Sequence, residues 1–168
     1  RDIYRKIHLF DVDLADSEES YRESRSMYPG DDPVVVKSPF GVIGLTICYD
    51  LRFPELFRSL VDADASIFTV PSAFTATTGR AHWHTLLRAR AIENLGYVIA
   101  PGQSGMHADG RATYGHSLIV DPWGKILAEV EEGNGIATAE IEPQRVATLR
   151  RDFPALQNRR LAHISSSR

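Results

Sequence analysis

The chain has 168 residues, 43% of them hydrophobic and 24% charged, which is ordinary for a folded globular protein and excludes disordered or collagen-like structure. Its formal net charge of −3 provides no positive field, which argues against nucleic acid or an anionic membrane as a partner. The length fits one prior domain of about 150 residues, so residues 1–168 are expected to form a single domain.

In chain order, Arg1 to Lys6 lack the long apolar core of a signal peptide, and export through a retained signal is not expected. The longest nearly apolar run, residues 42–48, falls far short of the roughly 20 residues a membrane span needs. In Tyr4-Arg5-Lys6-Ile7-His8-Leu9-Phe10, alternation turns Tyr4, Lys6 and His8 to one face. Residues 34–37 and 42–48 are β-branched runs separated by Ser38-Pro39-Phe40-Gly41, and read as neighbouring strands. The period then changes. Leu51, Phe53, Leu56, Phe57, Leu60 and Val61 recur at helical spacing, with Pro54 and Glu55 suited to a first turn. Residues 66–70 read as the next strand, and residues 75–79 as a Thr/Gly loop. A helix carrying Trp83, Leu86, Leu87, Ala91 and Ile92 follows, with Gly96 as its C′ stop. Residues 97–100 resume a strand, completing an alternation typical of an α/β layer. Strands are expected at 116–120, 125–130 and 136–141, then a short helix at 144–151 and a polar tail ending in Ser165-Ser166-Ser167.

Cys48 ends a strand and precedes a predicted helix, where the helix dipole would favour a thiolate and the Tyr49 N–H could bind an oxyanion. A small buried hydrophobe is an equally good reading of an isolated cysteine. As the chain's single cysteine it forms no intrachain disulfide, which suits a reducing, cytoplasmic setting. Lys6 and Glu23, read as residue types alone, are a surface lysine and a solvated loop carboxylate. Metal binding is not expected: His82 and His84 lie two apart on a predicted helix and point away from each other, and His107 and His116 belong to no recognised ligand pattern. Neither a P-loop nor a Gly-x-Ser-x-Gly elbow is present.

Taken together, Tyr4-Arg5-Lys6-Ile7-His8-Leu9, Gly44-Leu45-Thr46-Ile47-Cys48-Tyr49-Asp50-Leu51-Arg52-Phe53-Pro54-Glu55, Pro71-Ser72-Ala73-Phe74, Leu87-Arg88-Ala89-Arg90-Ala91 and Tyr114-Gly115-His116-Ser117 resemble the nitrilase superfamily. The likeness is strongest to its carbon-nitrogen hydrolase "Nit" branch. It implies an α/β fold of the αββα sandwich type, here without the early strands and helices. Cys48 falls on the nucleophile, which attacks an amide carbonyl and forms a thioester as ammonia leaves. Lys6 falls on the lysine that stabilises the tetrahedral oxyanion, and Glu23 on an auxiliary glutamate. Tyr49, Arg52, Ser72 and Phe74 are the implied substrate-binding residues, and the implied partner is a small carboxylate-bearing amide. No cofactor is implied.

The residues 107–114 look more like amidases acting on deaminated glutathione than like ω-amidases of 2-oxo acids. Where relatives carry an acidic residue after His-Trp, this chain has His84. The resembled family places its general-base glutamate upstream of the lysine motif, so the 168 residues alone are expected to be catalytically incomplete. A missing or separate upstream segment and a homo-oligomer are expected partners. An assembly module without catalysis and an acyl transferase on the same scaffold are the competing readings.

Overall fold

The computed structural model describes residues 2–14, 20–108 and 110–161, so the serine tail lies outside the described residues. Its strands are β1 (Asp11–Asp13), β2 (Ser20–Arg22), β3 (Val35–Ser38), β4 (Gly41–Leu45) and β5 (Ile67–Thr69). After these come β6 (Tyr97–Ala100), β7 (Ser104–Met106), β8 (Ala112–Tyr114), β9 (Ser117–Val120) and β10 (Ile126–Val130). The helices are α1 (Pro54–Asp62), α2 (Ala76–Asn94) and α3 (Pro143–Asp152).

One six-stranded sheet runs in the order β10-β9-β6-β5-β4-β3, parallel in its centre (β4-β5-β6) and antiparallel outside it. Helices α1 and α2 form the two crossovers between the parallel strands, as parallel pairing requires. The register stacks Gly44, Phe68, Val98 and Val120 across four strands. That row faces Leu56, Phe57 and Leu60 of α1 and Trp83, Leu87 and Ala91 of α2, all buried in one core. The opposite row, with Ile67 and Tyr97, packs under Val146 of α3. Alternation along each strand therefore divides one sheet between two helical layers.

Three local readings need correction. First, the segment after Cys48 begins not as an α-helix but as a five-residue 3₁₀ turn, Cys48–Arg52, and α1 starts only at Pro54. Second, α2 starts at Ala76: Thr75 is its N-cap and accepts from the Thr78 N–H at 3.3 Å, so the expected loop forms the first helical turn. Its left-handed terminal residue is Leu95 (φ 46°), not Gly96. Gly96 is needed for space instead, because a Cβ there would meet Phe68 Cε2 at 2.7 Å and Ser66 O at 2.9 Å. Third, residues 136–141 form no strand; Ile136 stands 87% exposed.

Two paired ribbons, β1-β2 and β7-β8, were not expected, and residues 4–10 run as irregular chain rather than as an alternating strand. No described helix is long and apolar enough to cross a membrane.

Candidate active site

Strand β4 ends at Leu45, and Thr46 continues alongside Thr69, donating to its carbonyl through both N–H (3.1 Å) and Oγ1 (2.8 Å). The chain then turns sharply. Cys48 takes a left-handed conformation (φ 49°) while its N–H donates to Pro71 O at 3.0 Å. A residue other than glycine in this region is uncommon, and such strain concentrates at functional positions. The turn lifts the Cys48 side chain out of the sheet edge and into a cavity.

Burial pushes the Cys48 thiol above its ordinary pKa. The Lys6 ammonium, the Ala73 backbone and the Ser72 side chain pull the other way without reversing it, and Glu23 adds to the rise. The thiolate-favouring dipole expected from a following helix is thus not the controlling influence. The 3₁₀ turn is short, α1 begins six residues later, and desolvation wins.

Lys6 is not a surface lysine. Its side chain is only 12% exposed, and its Nζ donates to Glu23 Oε2 at 2.5 Å. The same oxygen accepts the Phe10 N–H at 2.7 Å, so Glu23 fixes the irregular chain on both sides of Lys6. Lys6, Glu23, Cys48 and Ser72 line a single cavity of about 800 Å³, together with Phe10, Tyr21, Arg22, Gln103 and Arg111. Tyr49, Arg52 and Phe74 instead border a much smaller recess, of about 20 Å³, that shares Cys48 with the cavity. There the Arg52 guanidinium lies 5.1 Å from the Phe74 ring centroid and 5.9 Å from that of Tyr49, and it reaches His82 Nδ1 at 3.2 Å. The six other expected site residues therefore line the two hollows that meet at Cys48.

Arg22, Gln103 and Arg111 escaped sequence reading because they sit on ribbons and loops with no period. At the cavity's polar rim, Arg111 stacks over Tyr21 at 5.5 Å, while Arg22 grips Asp13 through both carboxylate oxygens.

His84 does not reach the cavity lining. Its Nε2 meets Glu129 Oε1 at 2.7 Å, and His116 Nδ1 meets the same oxygen at 2.6 Å. This trio comes from α2, the left-handed residue before β9, and β10, with its possible ligand atoms within 4.8 Å of one another. The intrahelix spacing test could not detect it. Glu129 bonds both imidazoles, so the trio ties α2 to the sheet. Burial would raise the Glu129 carboxyl, but the bonds from His116 and His84 hold it below its ordinary pKa.

Comparison with known proteins fits this geometry. Over 158 residues the chain is 51% identical to the deaminated glutathione amidase of Synechocystis sp., covering 93% of this chain and 58% of that one. The C. elegans NitFhit protein superposes with a TM-score of 0.87 at 46% identity, over 94% of this chain and 38% of that one. A mutant of the amidase from Nesterenkonia sp. AN1, in which the acetamide moiety of fluoroacetamide is covalently added to the active-site cysteine, matches with a TM-score of 0.73 at 26% identity. That match covers 94% of this chain and 52% of the amidase. The chain spans about half the length of the curated relatives it matches. With residues 1–151 matched by the carbon-nitrogen hydrolase model, and a solved member of the nitrilase superfamily from Saccharomyces cerevisiae matching 94% of the chain with a TM-score of 0.80 at 37% identity, the chain belongs to the carbon-nitrogen hydrolase family.

Proposed function

We propose that this chain carries the nucleophile and the lysine of an amidase that cleaves a small, carboxylate-bearing amide through a cysteine thioester. The observation that carries the reading is the convergence of Cys48, in a left-handed elbow, with the hydrogen-bonded Lys6 and Glu23 pair on one cavity. In this reading the Cys48 sulfur attacks the amide carbonyl. Charge develops on the carbonyl oxygen, and the Lys6 ammonium and the Tyr49 N–H stabilise it most in the transition state. Collapse expels the nitrogen with a proton, and water hydrolyses the thioester, returning the thiol and releasing the acid.

Relatives named deaminated glutathione amidase favour a glutathione-derived substrate. Such an amide is substituted on nitrogen, so its leaving group is an amine rather than the ammonia of a primary amide. The cavity volume accommodates more than a four- or five-carbon amide. At its rim the Arg111 guanidinium suits a carboxylate at the substrate's far end, while Arg22 is engaged by Asp13. Ser72 lines the main cavity, and Arg52 and Phe74 shape the recess beside the sulfur.

The free thiol of Cys48 fits the reducing cytoplasm. Self-association is part of the proposal, supported by exposed Ile92, Trp123 and Phe153 lying together: Gly124 abuts Ile92, and the two aromatic rings are 5.8 Å apart.

The test assays deaminated glutathione and 2-oxoglutaramate, detecting free amine and ammonia separately. Amine release that Cys48→Ser abolishes is expected. Undiminished turnover by Cys48→Ser would overturn the reading, as would no cleavage of either amide when the chain is assayed together with an upstream segment supplying the general-base glutamate.

A further inference from the structure

Asp50 is fully buried, two residues beyond the nucleophile, and the catalytic reading gives it no task. A buried carboxylate is costly unless its oxygens are satisfied. Here the Asp50 side chain makes four contacts to three residues. Oδ2 accepts the Tyr4 hydroxyl at 2.7 Å and the Ile47 N–H at 2.9 Å. Oδ1 accepts the His8 N–H at 3.0 Å and meets His8 Nδ1 at 2.8 Å. The positions of these partners matter more than their number. Tyr4 and His8 flank Lys6 by two residues on either side, and Ile47 immediately precedes Cys48. The His8 ring is also stacked on Phe53, just past the elbow, at 3.6 Å and 5°.

No strand pairing holds residues 4–10, so their position depends on such side-chain contacts. Glu23 ties Lys6 from the cavity side, and Asp50 ties its neighbours from the protein side.

We propose that Asp50 is a positioning residue, whose carboxylate clamps the Lys6 segment to the Cys48 elbow and so sets the ammonium beside the sulfur. The proposal rests on reading Lys6 and Cys48 as one constellation, and it names what holds that constellation together. It also separates two effects of opposite sign. If Asp50 acted only through its own charge, removing it would favour the thiolate. If it acts by holding Lys6 in place, removing it withdraws the nearby cation and disfavours the thiolate.

The experiment follows iodoacetamide labelling of Cys48 between pH 6 and 10, by mass spectrometry of the peptide that contains it. It compares the purified protein with Asp50→Asn, Tyr4→Phe, Lys6→Met and Asp50→Asn/Lys6→Met. This readout requires no substrate, so it stands apart from the identity of the amide. Lys6→Met and Asp50→Asn should each slow labelling near neutrality roughly tenfold and move the profile to higher pH. The double variant should be no slower than Lys6→Met, because a clamp acting through Lys6 has nothing left to position. Tyr4→Phe, which removes one of the four contacts, should move labelling the same way by less.

Parent-like or faster labelling of folded Asp50→Asn overturns the clamp. So does full additivity with Lys6→Met, which would make Asp50 a structural residue independent of Lys6. Unchanged labelling of Lys6→Met would refute both the clamp and the shared constellation beneath it. Should Asp50→Asn lose its cooperative thermal transition, Tyr4→Phe decides: slower labelling that is absent in the Lys6→Met background supports the clamp, and unchanged labelling overturns it.

Discussion

Gly79→Ala sets two well-characterised effects against each other inside α2. Alanine in place of glycine in a helix interior is worth about 1 kcal/mol in favour of the variant. At this position, however, a Cβ would lie 2.4 Å from both Cβ and Cγ of Tyr114 and 2.7 Å from Cδ1. Ordinary carbon contacts fall near 3.5–4.0 Å, so about 1 Å of separation must be found. No rotamer change supplies it, because the Cβ of Tyr114 moves only with its backbone. That backbone is held by the Tyr114 N–H to Phe74 O bond at 2.9 Å, and the ring is stacked 4.1 Å from His116. Helix α2 and β8 must therefore separate, an overpacking cost of about 3 kcal/mol at the upper end of the usual range. The net expectation is a loss of about 2 kcal/mol, or roughly 4–8 °C in Tm for a domain of this size. Urea or thermal denaturation measures it, with Thr77→Ala, an exposed neighbour on the same helix, as a control that should be neutral or slightly stabilising. A Gly79→Ala protein as stable as its parent would refute the reasoning, since helix propensity would then outweigh the α2-β8 contact.

If Lys6 has the proposed role of stabilising charge that develops in the transition state, Lys6→Ala should lower kcat far more than it raises KM toward the best amide; a pure KM effect would move Lys6 to substrate binding. Glu129→Gln should destabilise the protein at neutral pH. Glu129 has a lowered pKa in the fold, so its contribution is present above the ordinary carboxylate value near 4.5 and is lost as pH falls through the folded value. The stability gap between parent and variant should therefore close in acid, and a gap constant from pH 3 to 7 would contradict the His84-Glu129-His116 tie. Arg150→Ala should cost about 2–3 kcal/mol in chemical denaturation, because its guanidinium donates to Ala65 O (2.7 Å), Asn94 O (3.0 Å) and Leu95 O (3.2 Å), carbonyls that include the C-terminal end of α2. A loss under 0.5 kcal/mol, the scale of an ordinary surface change, would show that water replaces it freely.

The elements legible in the sequence are those whose apolar residues repeat against the central sheet. Leu56, Phe57, Leu60 and Val61 announce α1 because that face is buried, and residues 97–100 announce β6 because both sides of the strand are covered. Ile136 to Ile141 alternate just as plausibly, yet Ile136 is solvent-facing and only Ile141 packs, beneath α3. Alternation names a possible face but not a partner strand. The ribbons β1-β2 and β7-β8 are short and rich in polar residues, so neither period marked them. In the site, Cys48 was readable from the strand that delivers it. Lys6 and Glu23 were readable only through family resemblance, because they meet from an irregular segment and a three-residue 3₁₀ turn, 17 residues apart. Asp50 stands in plain sight in Cys48-Tyr49-Asp50, but its four contacts depend on tertiary structure that no local pattern encodes.

The φ of 49° at Cys48 also constrains the inheritance of chemistry along this lineage. Three side chains commonly attack carbonyls through sulfur or a hydroxyl: cysteine, serine and threonine. At a left-handed position an unbranched Cβ is tolerated at some cost, whereas a second γ atom makes the residue a genuine outlier. Serine can therefore enter position 48 by a single substitution and keep the elbow, giving a weak attacking group in an intact frame. Threonine would have to reshape the turn first, taking the Ile47 N–H and Asp50 contact with it. If Cys48 is the nucleophile, as proposed, the backbone at this position thus admits cysteine or serine as the attacking group and disfavours threonine.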